Sequence, residues 1–243
     1  MISDSNHKIA GLPAVKIVKV LPEISERQLF AHRQCYLGIS LENPAFEGES
    51  LFALMQWATE RFDRCLVIVG DYLCRYNQLI FSKCSQEEAA EAANKLGDLF
   101  LQKNAELFRR FPADKVRLTR WEQHLQTPQF ASSLAVLNKL FASNPEFRGA
   151  IETDALGFIK RQKKHNRTFS SDTAYALKLS CQYLLEEIAV FSALSEQGWE
   201  VEVYPGPELE VLAQIENGIY MDIPDGLKKR INVELKISGS IHK

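Results

Sequence analysis

The sequence has 243 residues, of which 46% are hydrophobic and 25% charged, and its formal net charge is −2. This length and composition exclude a disordered tail or a fibre and predict one sizeable hydrophobic core. The charge is uneven: residues 95–167 carry 14 Lys and Arg against 7 Asp and Glu, whereas both flanking parts are acidic, which favours one face that binds a polyanion.

Short β-branched runs alternate with longer helical patterns along the chain. This order predicts an α/β fold in which a parallel sheet is flanked by helices on both faces. The predicted strands are residues 14–21, 34–40, 65–71, 115–121, 200–206 and 230–238. The third is apolar throughout, as is typical of a strand buried on both faces, and the clean alternation of the last predicts an edge strand.

The helical segments are bounded by capping residues and breakers. They cover residues 49–62, a long helix from the cap Ser85 to Arg110, two helices within 128–165 broken near Asn144-Pro145, a long helix capped by Ser171-Asp172 that runs to Gly198, and a short one within 208–218. Because no repeat or low-complexity linker interrupts this pattern, we expect a single domain over 1–243, with 1–13 as a flexible N-terminal segment.

Three polar residues close predicted strands, at the edge where open parallel sheets gather their ligands. They are Ser40, Asp71 and Tyr204. Gly38 lies two residues before Ser40 on the same face, so a substrate could approach the hydroxyl closely. Ser40 is therefore a candidate nucleophile, and the alternative is a serine that caps a turn. Glu42 occupies the position of the second glycine of a hydrolase elbow, which argues against an α/β-hydrolase.

A tyrosine and a glutamate lie four residues apart on the late long helix. Tyr183 and Glu187 therefore share one helix face, where a phenol and a carboxylate can together hold a primary ammonium group. The alternative is a tyrosine at the core boundary with an exposed glutamate. Glu202 shares a strand face with Tyr204 and could likewise face the site, or it could pair with a nearby Lys or Arg or reach solvent. A carboxylate that faces the site would favour a polar or cationic aminoacyl group.

No motif for a metal or a nucleotide is present. CxxC, HExxH, Walker and GxGxxG sequences are absent, as are the adenylation motifs of class I aminoacyl-tRNA synthetases. We expect no cofactor, neither ATP nor metal. The five cysteines have unrelated spacings that suit reduced thiols, and neither a membrane span nor a signal peptide is evident. We therefore expect a cytoplasmic protein.

The positive middle of the chain concentrates its charge in a few elements. We expect these residues to contact phosphates without reading bases, the alternative being a solvated charged face. The candidates are Lys95, Lys103, Arg109, Arg110, Arg117, Arg120, Lys163 and Lys164.

Three separated segments of the chain resemble the tRNA-dependent cyclodipeptide synthases. They are GISLENPAFEGESL at 38–51, GDYLCRYN at 70–77, and YLLEE at 183–187 together with VYPG at 203–206. The resemblance extends over roughly 14–238. It implies a Rossmann-like fold similar to the catalytic domain of class I aminoacyl-tRNA synthetases, without their ATP site.

The resemblance also implies roles for individual residues. Ser40 would be the nucleophile, Tyr183 and Glu187 would hold the amino group of the aminoacyl moiety, and Tyr204 would act in a later catalytic step. The residues expected to bind substrate are Tyr36, Gly38, Asn43, Val190 and Glu202. The family has two branches. Asn43, three residues after Ser40, resembles the asparagine that is typical of one branch. Pro205, which follows the last tyrosine, and the PAFEGE stretch resemble the other, the Tyr-Pro branch, which we favour.

The expected activity is ATP-independent aminoacyl transfer in secondary metabolism. Two aminoacyl-tRNAs would react in turn through an aminoacyl-Ser40 intermediate to give a 2,5-diketopiperazine. The partners would be aminoacyl-tRNAs, with neither DNA nor a membrane, and the protein would be a monomer. Two alternatives are a serine hydrolase on the same scaffold and a noncatalytic tRNA-binding module. A hydrolase requires a histidine near Ser40.

Overall fold

The computed structural model describes residues 13–164, 169 and 172–238. It contains a mixed sheet of six strands flanked by helices, and all six predicted strands are confirmed. The strands are β1 (Ala14–Leu21), β2 (Gln34–Ile39), β3 (Arg64–Val69), β4 (Val116–Arg120), β5 (Val201–Tyr204) and β6 (Ile231–Ser238). Residues 1–12 of the expected flexible segment, and Ser171 of the expected helix cap, lie outside the described residues.

Ten α-helices connect and cover the strands in the described part of the chain. They are α1 (Glu26–Leu29), α2 (Gly48–Arg61), α3 (Arg75–Phe81), α4 (Gln86–Lys103), α5 (Ala105–Arg109), α6 (Trp121–Leu125), α7 (Pro128–Ser143), α8 (Pro145–Lys164), α9 (Thr173–Glu196) and α10 (Glu210–Glu216). Two short 3-10 helices cover Pro44–Phe46 and Tyr72–Cys74. Among these helices, α1, α3 and α6 were not predicted from the sequence.

The strand order is β1-β6-β5-β2-β3-β4, and it corrects one prediction. β6 is not an edge strand, because it pairs in parallel with β5 on one side and antiparallel with β1 on the other. β1 is the edge, and Val18 at its centre is 54% exposed. The alternating pattern of β6 is local, whereas its place in the sheet depends on pairing with a strand more than 200 residues away.

The sheet separates two apolar layers, as an α/β fold requires. On one face, strand residues such as Leu37 and Val67 pack against α2. On the other face, Tyr36 and Ile68 pack against α7, α8 and α9. The continuous apolar sequence of β3 is explained by burial against both layers.

The helix predicted from Ser85 to Arg110 is interrupted in the structure. Asn104 is buried, and its side-chain amide donates a hydrogen bond of 2.9 Å to the carbonyl oxygen of Phe100, which also accepts the backbone N–H of Asn104 at 3.1 Å. The backbone leaves the helical conformation at this residue, with φ −104° and ψ 10°. The helix therefore ends at Lys103, and the separate short helix α5 follows.

Asp71 follows β3 but is directed away from the sheet edge where a substrate would bind. It is fully buried and forms an ion pair with Arg120, with Oδ2 at 2.5 Å from Nε. It also accepts hydrogen bonds from the backbone N–H groups of Tyr72 and Trp121. α4 packs directly over it at Gly97, where any Cβ would overlap the carboxylate. Asp71 thus fixes α4 to the sheet.

Candidate active site

One cavity of about 960 Å³ lies at the carboxyl ends of the central strands. Its wall includes side chains from the end of β2, the following loop, α9 and the end of β5. All four residues predicted to be catalytic line it, although they are distant in sequence: Ser40, Tyr183, Glu187 and Tyr204. Parallel strands and the helices that follow them bring such groups to one edge of a sheet.

Ser40 directly follows β2, and Gly38 precedes it on the same face of the strand. A Cβ placed on Gly38 would meet nothing within 4 Å, so the cavity occupies the space that a side chain would fill. The absent side chain therefore makes room beside the Ser40 hydroxyl, as the sequence predicted.

The phenol of Tyr204 is held by the loop that follows Ser40. Asn43 caps the 3-10 helix Pro44–Phe46 through its side-chain oxygen, which accepts from the N–H of Ala45 at 2.9 Å. The amide nitrogen of the same side chain donates to the Tyr204 hydroxyl at 3.4 Å. Burial raises the pKa of Tyr204, and hydrogen bonds from Asn43 and Ser40 oppose that shift. One asparagine thus orders both the loop and the phenol.

Tyr183 and Glu187 project from α9 into the same cavity. Burial raises the pKa of Glu187 to about 8, and the negative charge of Glu202 contributes to the increase. Burial and the neighbouring Glu187 carboxyl likewise raise the pKa of Tyr183 well above its usual range. Near neutral pH this carboxyl is therefore largely protonated, and it can release its proton when a cation binds beside it.

Behind the cavity, Glu202 belongs to a buried charged cluster centred on Arg230. The Arg230 guanidinium donates to Glu202 Oε2 at 3.0 and 2.5 Å, to Glu208 Oε1 at 3.0 Å, and to Glu216. Glu202 thus pairs with a basic residue, which was one of the two expected arrangements, and it also lines the cavity. Sequence reasoning missed Arg230, Glu208 and Glu216, because nothing local indicates that they converge.

Two residues expected to bind substrate lie behind the cavity wall. Tyr36 is fully buried and donates a hydrogen bond from its hydroxyl to Glu202 Oε2 at 2.9 Å, and Val190 of α9 is packed within the core. Neither lines the cavity. This differs from the expectation, because the residues of β2 that line the cavity begin at Gly38. Among the expected binders, Gly38, Asn43 and Glu202 do line it.

A second buried ion pair fixes the helix that carries Glu187. The preceding residue, Glu186, pairs with Arg75 of α3 and accepts hydrogen bonds of 3.0 Å from both the Tyr76 hydroxyl and the indole N–H of Trp121. Because Glu186 is held against α3, the next residue along the helix, Glu187, points into the cavity. The spacing of four residues from Tyr183 predicted that Glu187 shares the face of that tyrosine, and Glu187 does line the cavity whereas Glu186 does not.

The predicted phosphate-binding residues have different surroundings. Arg120 forms ion pairs with Asp71 and Asp98 and donates to the carbonyl oxygen of Asn94, so its guanidinium is used within the fold. Arg110 is exposed but stacks on the ring of Phe52 at 3.8 Å. The remaining candidates are exposed on α4, α5, β4 and the end of α8: Lys95, Lys103, Arg109, Arg117, Lys163 and Lys164.

Several other features limit the chemistry of the described residues. Within 13–164, 169 and 172–238, no cluster of His, Cys, Asp and Glu could hold a metal ion, and no helix is long and apolar enough to cross a bilayer. His32 pairs with Glu200, and His124 bonds to Thr119. Neither histidine lines the cavity. Nothing in the described part of the chain therefore supplies the histidine that a serine hydrolase would need near Ser40.

Comparison with known proteins gives a family match. The sequence profile described as "Cyclodipeptide synthase" matches residues 19–196. No curated protein sequence matches the chain.

Solved structures share the fold. A cyclodipeptide synthase from Fluoribacter dumoffii is 23% identical over 94% of this chain and 100% of its own, with a TM-score of 0.80. A cyclodipeptide synthase from Candidatus Glomeribacter gigasporarum, bound to Phe-tRNAPhe, is 18% identical over 86% of this chain and 89% of its own, with a TM-score of 0.62. A Mycobacterium tuberculosis protein, whose structure relates cyclodipeptide synthetases to type I tRNA synthetases, is 14% identical over 90% and 93%, with a TM-score of 0.69. These matches agree with the predicted fold class.

Proposed function

The chain belongs to the cyclodipeptide synthase family, and from this premise we propose that it joins two aminoacyl groups, each delivered by a tRNA, into a 2,5-diketopiperazine. The observation that carries the proposal is the convergence of Ser40, Tyr183, Glu187 and Tyr204 on one cavity. An aminoacyl-tRNA is already an activated ester, so the reaction needs no ATP.

In the first half of the reaction, Ser40 acts as a nucleophile. Its Oγ attacks the ester carbonyl carbon of the first aminoacyl-tRNA, and the ribose oxygen of the tRNA leaves with the serine proton. The product is an aminoacyl ester on Ser40 and a free tRNA. Covalent catalysis of this kind divides one difficult transfer into two easier ones.

In the second half, the amino group of the Ser40-bound residue must lose a proton before it can attack. Tyr183 and Glu187 hold this group, and a carboxyl with a pKa raised to about 8 is suited to exchange a proton with it near neutral pH. The free amine attacks the ester carbonyl carbon of the second aminoacyl-tRNA, and the ribose oxygen of that tRNA leaves with a proton from the amine. A dipeptide then remains attached to Ser40.

The last step is ring closure. The new amino terminus attacks the ester carbon on Ser40, the second peptide bond forms, and the serine oxygen leaves and regains a proton. Tyr204 relays protons in this step, and the hydrogen bond from Asn43 supports its position. Pro205 in the cavity wall supports the Tyr-Pro branch, which we propose for this chain, whereas Asn43 is the feature that resembles the other branch.

The tRNA is proposed to bind through the exposed basic residues of α4, α5, β4 and α8. The structure of a relative bound to Phe-tRNAPhe supports an aminoacyl-tRNA as partner. Arg120 is left out of this surface because Asp71 and Asp98 neutralise it. Lys103 forms an exposed ion pair with Glu47, which adjoins the loop at the cavity, so this part of the surface extends toward the active site.

The test of the proposed function is the covalent intermediate. Ser40→Ala should bind aminoacyl-tRNA with unchanged affinity but form no aminoacyl-enzyme, because the attacking oxygen is gone. Intact-protein mass spectrometry after incubation with aminoacyl-tRNA measures the adduct. Ser132→Ala, which removes an exposed hydroxyl on α7, is the matched control and should retain it. An adduct of equal yield on Ser40→Ala would show that another residue is the nucleophile.

A further inference from the structure

A row of side chains on three neighbouring strands lies at the deep end of the cavity, and two of the three line it while Tyr36 lies behind the wall. Tyr36 of β2, Glu202 of β5 and Asn232 of β6 are partners in the parallel register. Register partners on adjacent strands lie about 4.8 Å apart and point to the same face. All three are buried, with Tyr36 at 0%, Asn232 at 3% and Glu202 at 4% exposure. Glu202 and Asn232 both line the cavity.

This row retains hydrogen-bonding capacity that the fold does not use. The hydrogen bonds from Tyr36 and Arg230 to Glu202 all end on Oε2. Among the described residues, Glu202 Oε1 and the side-chain amide of Asn232 have no hydrogen-bond partner. The polar atoms that are both unpartnered and inaccessible to solvent are Ser180 Oγ and Glu216 Oε2 in this part of the chain, so the Glu202 and Asn232 atoms remain accessible. A buried polar group costs free energy unless it is bonded, so these two groups are suited to a ligand that enters the cavity.

Gly38 leaves the route from Ser40 to this row open. Ser40, Gly38 and Tyr36 follow one another on the same face of β2, and the space beside Gly38 is empty to at least 4 Å from a Cβ. Four residues of extended chain span about 13 Å. An amino acid attached to Ser40 could therefore reach Glu202 and Asn232 only with a long side chain.

The charge around the row selects the chemistry of that side chain. Three carboxyl groups, from Glu202, Glu208 and Glu216, share the single guanidinium of Arg230. Glu187 adds a fourth carboxyl in the same cavity, which is largely protonated near neutral pH and can release its proton when a cation binds beside it. Acidic groups are in excess, so the deep end favours a positively charged donor and disfavours a carboxylate.

We propose that Glu202 and Asn232 form a recognition site for the side chain of an aminoacyl group, and that they select a long basic side chain, as in lysine or arginine. Glu202 Oε1 would accept a hydrogen bond from the terminal nitrogen, and the side-chain oxygen of Asn232 would accept a second. This inference rests on the proposed function, because it places the aminoacyl group on Ser40.

The experiment supplies the purified protein with tRNAs charged singly and in pairs and identifies cyclic dipeptides by mass spectrometry. The wild type should incorporate lysine or arginine. Glu202→Gln keeps a carbonyl oxygen for Arg230 and Tyr36 but loses the charge, and it should lower the rate with basic relative to uncharged aminoacyl groups about tenfold or more. Asn232→Leu touches no ion pair and should shift the preference in the same direction. Glu234→Gln, on β6 but outside the cavity wall, should leave it unchanged.

The possible outcomes distinguish a failure of the recognition site from a failure of the proposed function. Cyclic dipeptides that contain no basic residue would overturn the recognition site and leave the proposed function in place, as would an unaltered preference in Asn232→Leu. This second variant decides the question if Glu202→Gln fails to fold. No cyclic dipeptide from any pair of aminoacyl-tRNAs would overturn the proposed function and the recognition site together.

Discussion

At the scale of single residues, Glu187 shows how the cavity changes the chemistry of a side chain. An unfolded chain leaves this carboxyl near its ordinary pKa of 4.5, whereas burial and the charge of Glu202 raise it to about 8 in the folded protein. Between these values the folded state holds a proton that the unfolded state has lost. Stability therefore decreases as pH rises through this interval. The residue that is proposed to hold the substrate amine destabilises the empty protein.

The substitution Glu187→Gln tests this pH dependence. Gln cannot ionise, so the variant should gain stability relative to the wild type as pH rises from about 4.5 to 8, by a few kcal/mol in order of magnitude. Below pH 4.5 the two proteins should be similar. Urea denaturation at a series of pH values measures the difference. Parallel curves across this range would mean that the carboxyl has an ordinary pKa in the folded protein. Glu208 and Glu216 titrate in both proteins, so the difference between the two curves reports on Glu187 and its electrostatic coupling to Glu208.

At the scale of elements, the orientation of α9 depends on a contact with α3. Glu186 and Arg75 form a nearly buried ion pair, with side chains 7% and 15% exposed. Tyr76 and Trp121 donate further hydrogen bonds to the Glu186 carboxylate. A helix with apolar residues on most of its surface has several orientations of similar packing energy. The ion pair selects the one that turns Glu187 toward the cavity.

Arg75→Met should therefore destabilise the protein strongly. Removing one partner of a buried ion pair leaves the other charge uncompensated and costs about 3–5 kcal/mol. The exposed pair of Arg33 and Asp63, with side chains 81% and 56% exposed, provides the control. Arg33→Met should cost less than about 1 kcal/mol. The free energy of unfolding of each variant measures the effect, and equal losses would contradict a special role for the contact between α3 and α9.

At the scale of the whole molecule, charge is separated between a basic surface and an acidic cavity. The middle of the chain carries 14 basic against 7 acidic residues, while the cavity wall includes Glu187, Glu202 and Glu208. In the proposed function, the basic surface would attract the tRNA phosphates and the acidic cavity would attract the amino group of the aminoacyl end. Opposite charges would then match the two ends of the proposed substrate.

The double substitution Lys95→Glu with Arg109→Glu tests the basic surface. Both side chains are exposed, and the pair of Arg109 with Glu106 is solvated, so the fold should be unaffected. Affinity for aminoacyl-tRNA should fall, and the slope of log K against log salt should become shallower by about one to two units. Filter binding at several salt concentrations measures this slope. Lys139→Glu on α7 is the control, and an unchanged slope in the double variant would mean that the basic face is only solvated.

Much of the fold was accessible from local pattern. Neighbouring residues suffice to predict the apolar runs of β2 and β3, the break at Asn144-Pro145 and the cap at Ser85. Backbone propensity and periodicity act over only a few positions. The interruption at Asn104 was missed, since an asparagine is only mildly unfavourable within a helix and no Gly or Pro adjoins it.

The sequence by itself determined the strands, most of the helices and the residues expected at the carboxyl ends of the strands, including Ser40 and Tyr204. Only the tertiary structure decided that Asp71 faces α4 instead of the cavity, that Tyr36 and Val190 lie behind the wall, and that β6 is covered by β1. It also assembled Arg230 with three glutamates and left Glu202 and Asn232 facing open space. The physical reason is that strand pairing, burial and charge compensation join residues far apart in the chain, whereas sequence patterns report only on neighbours.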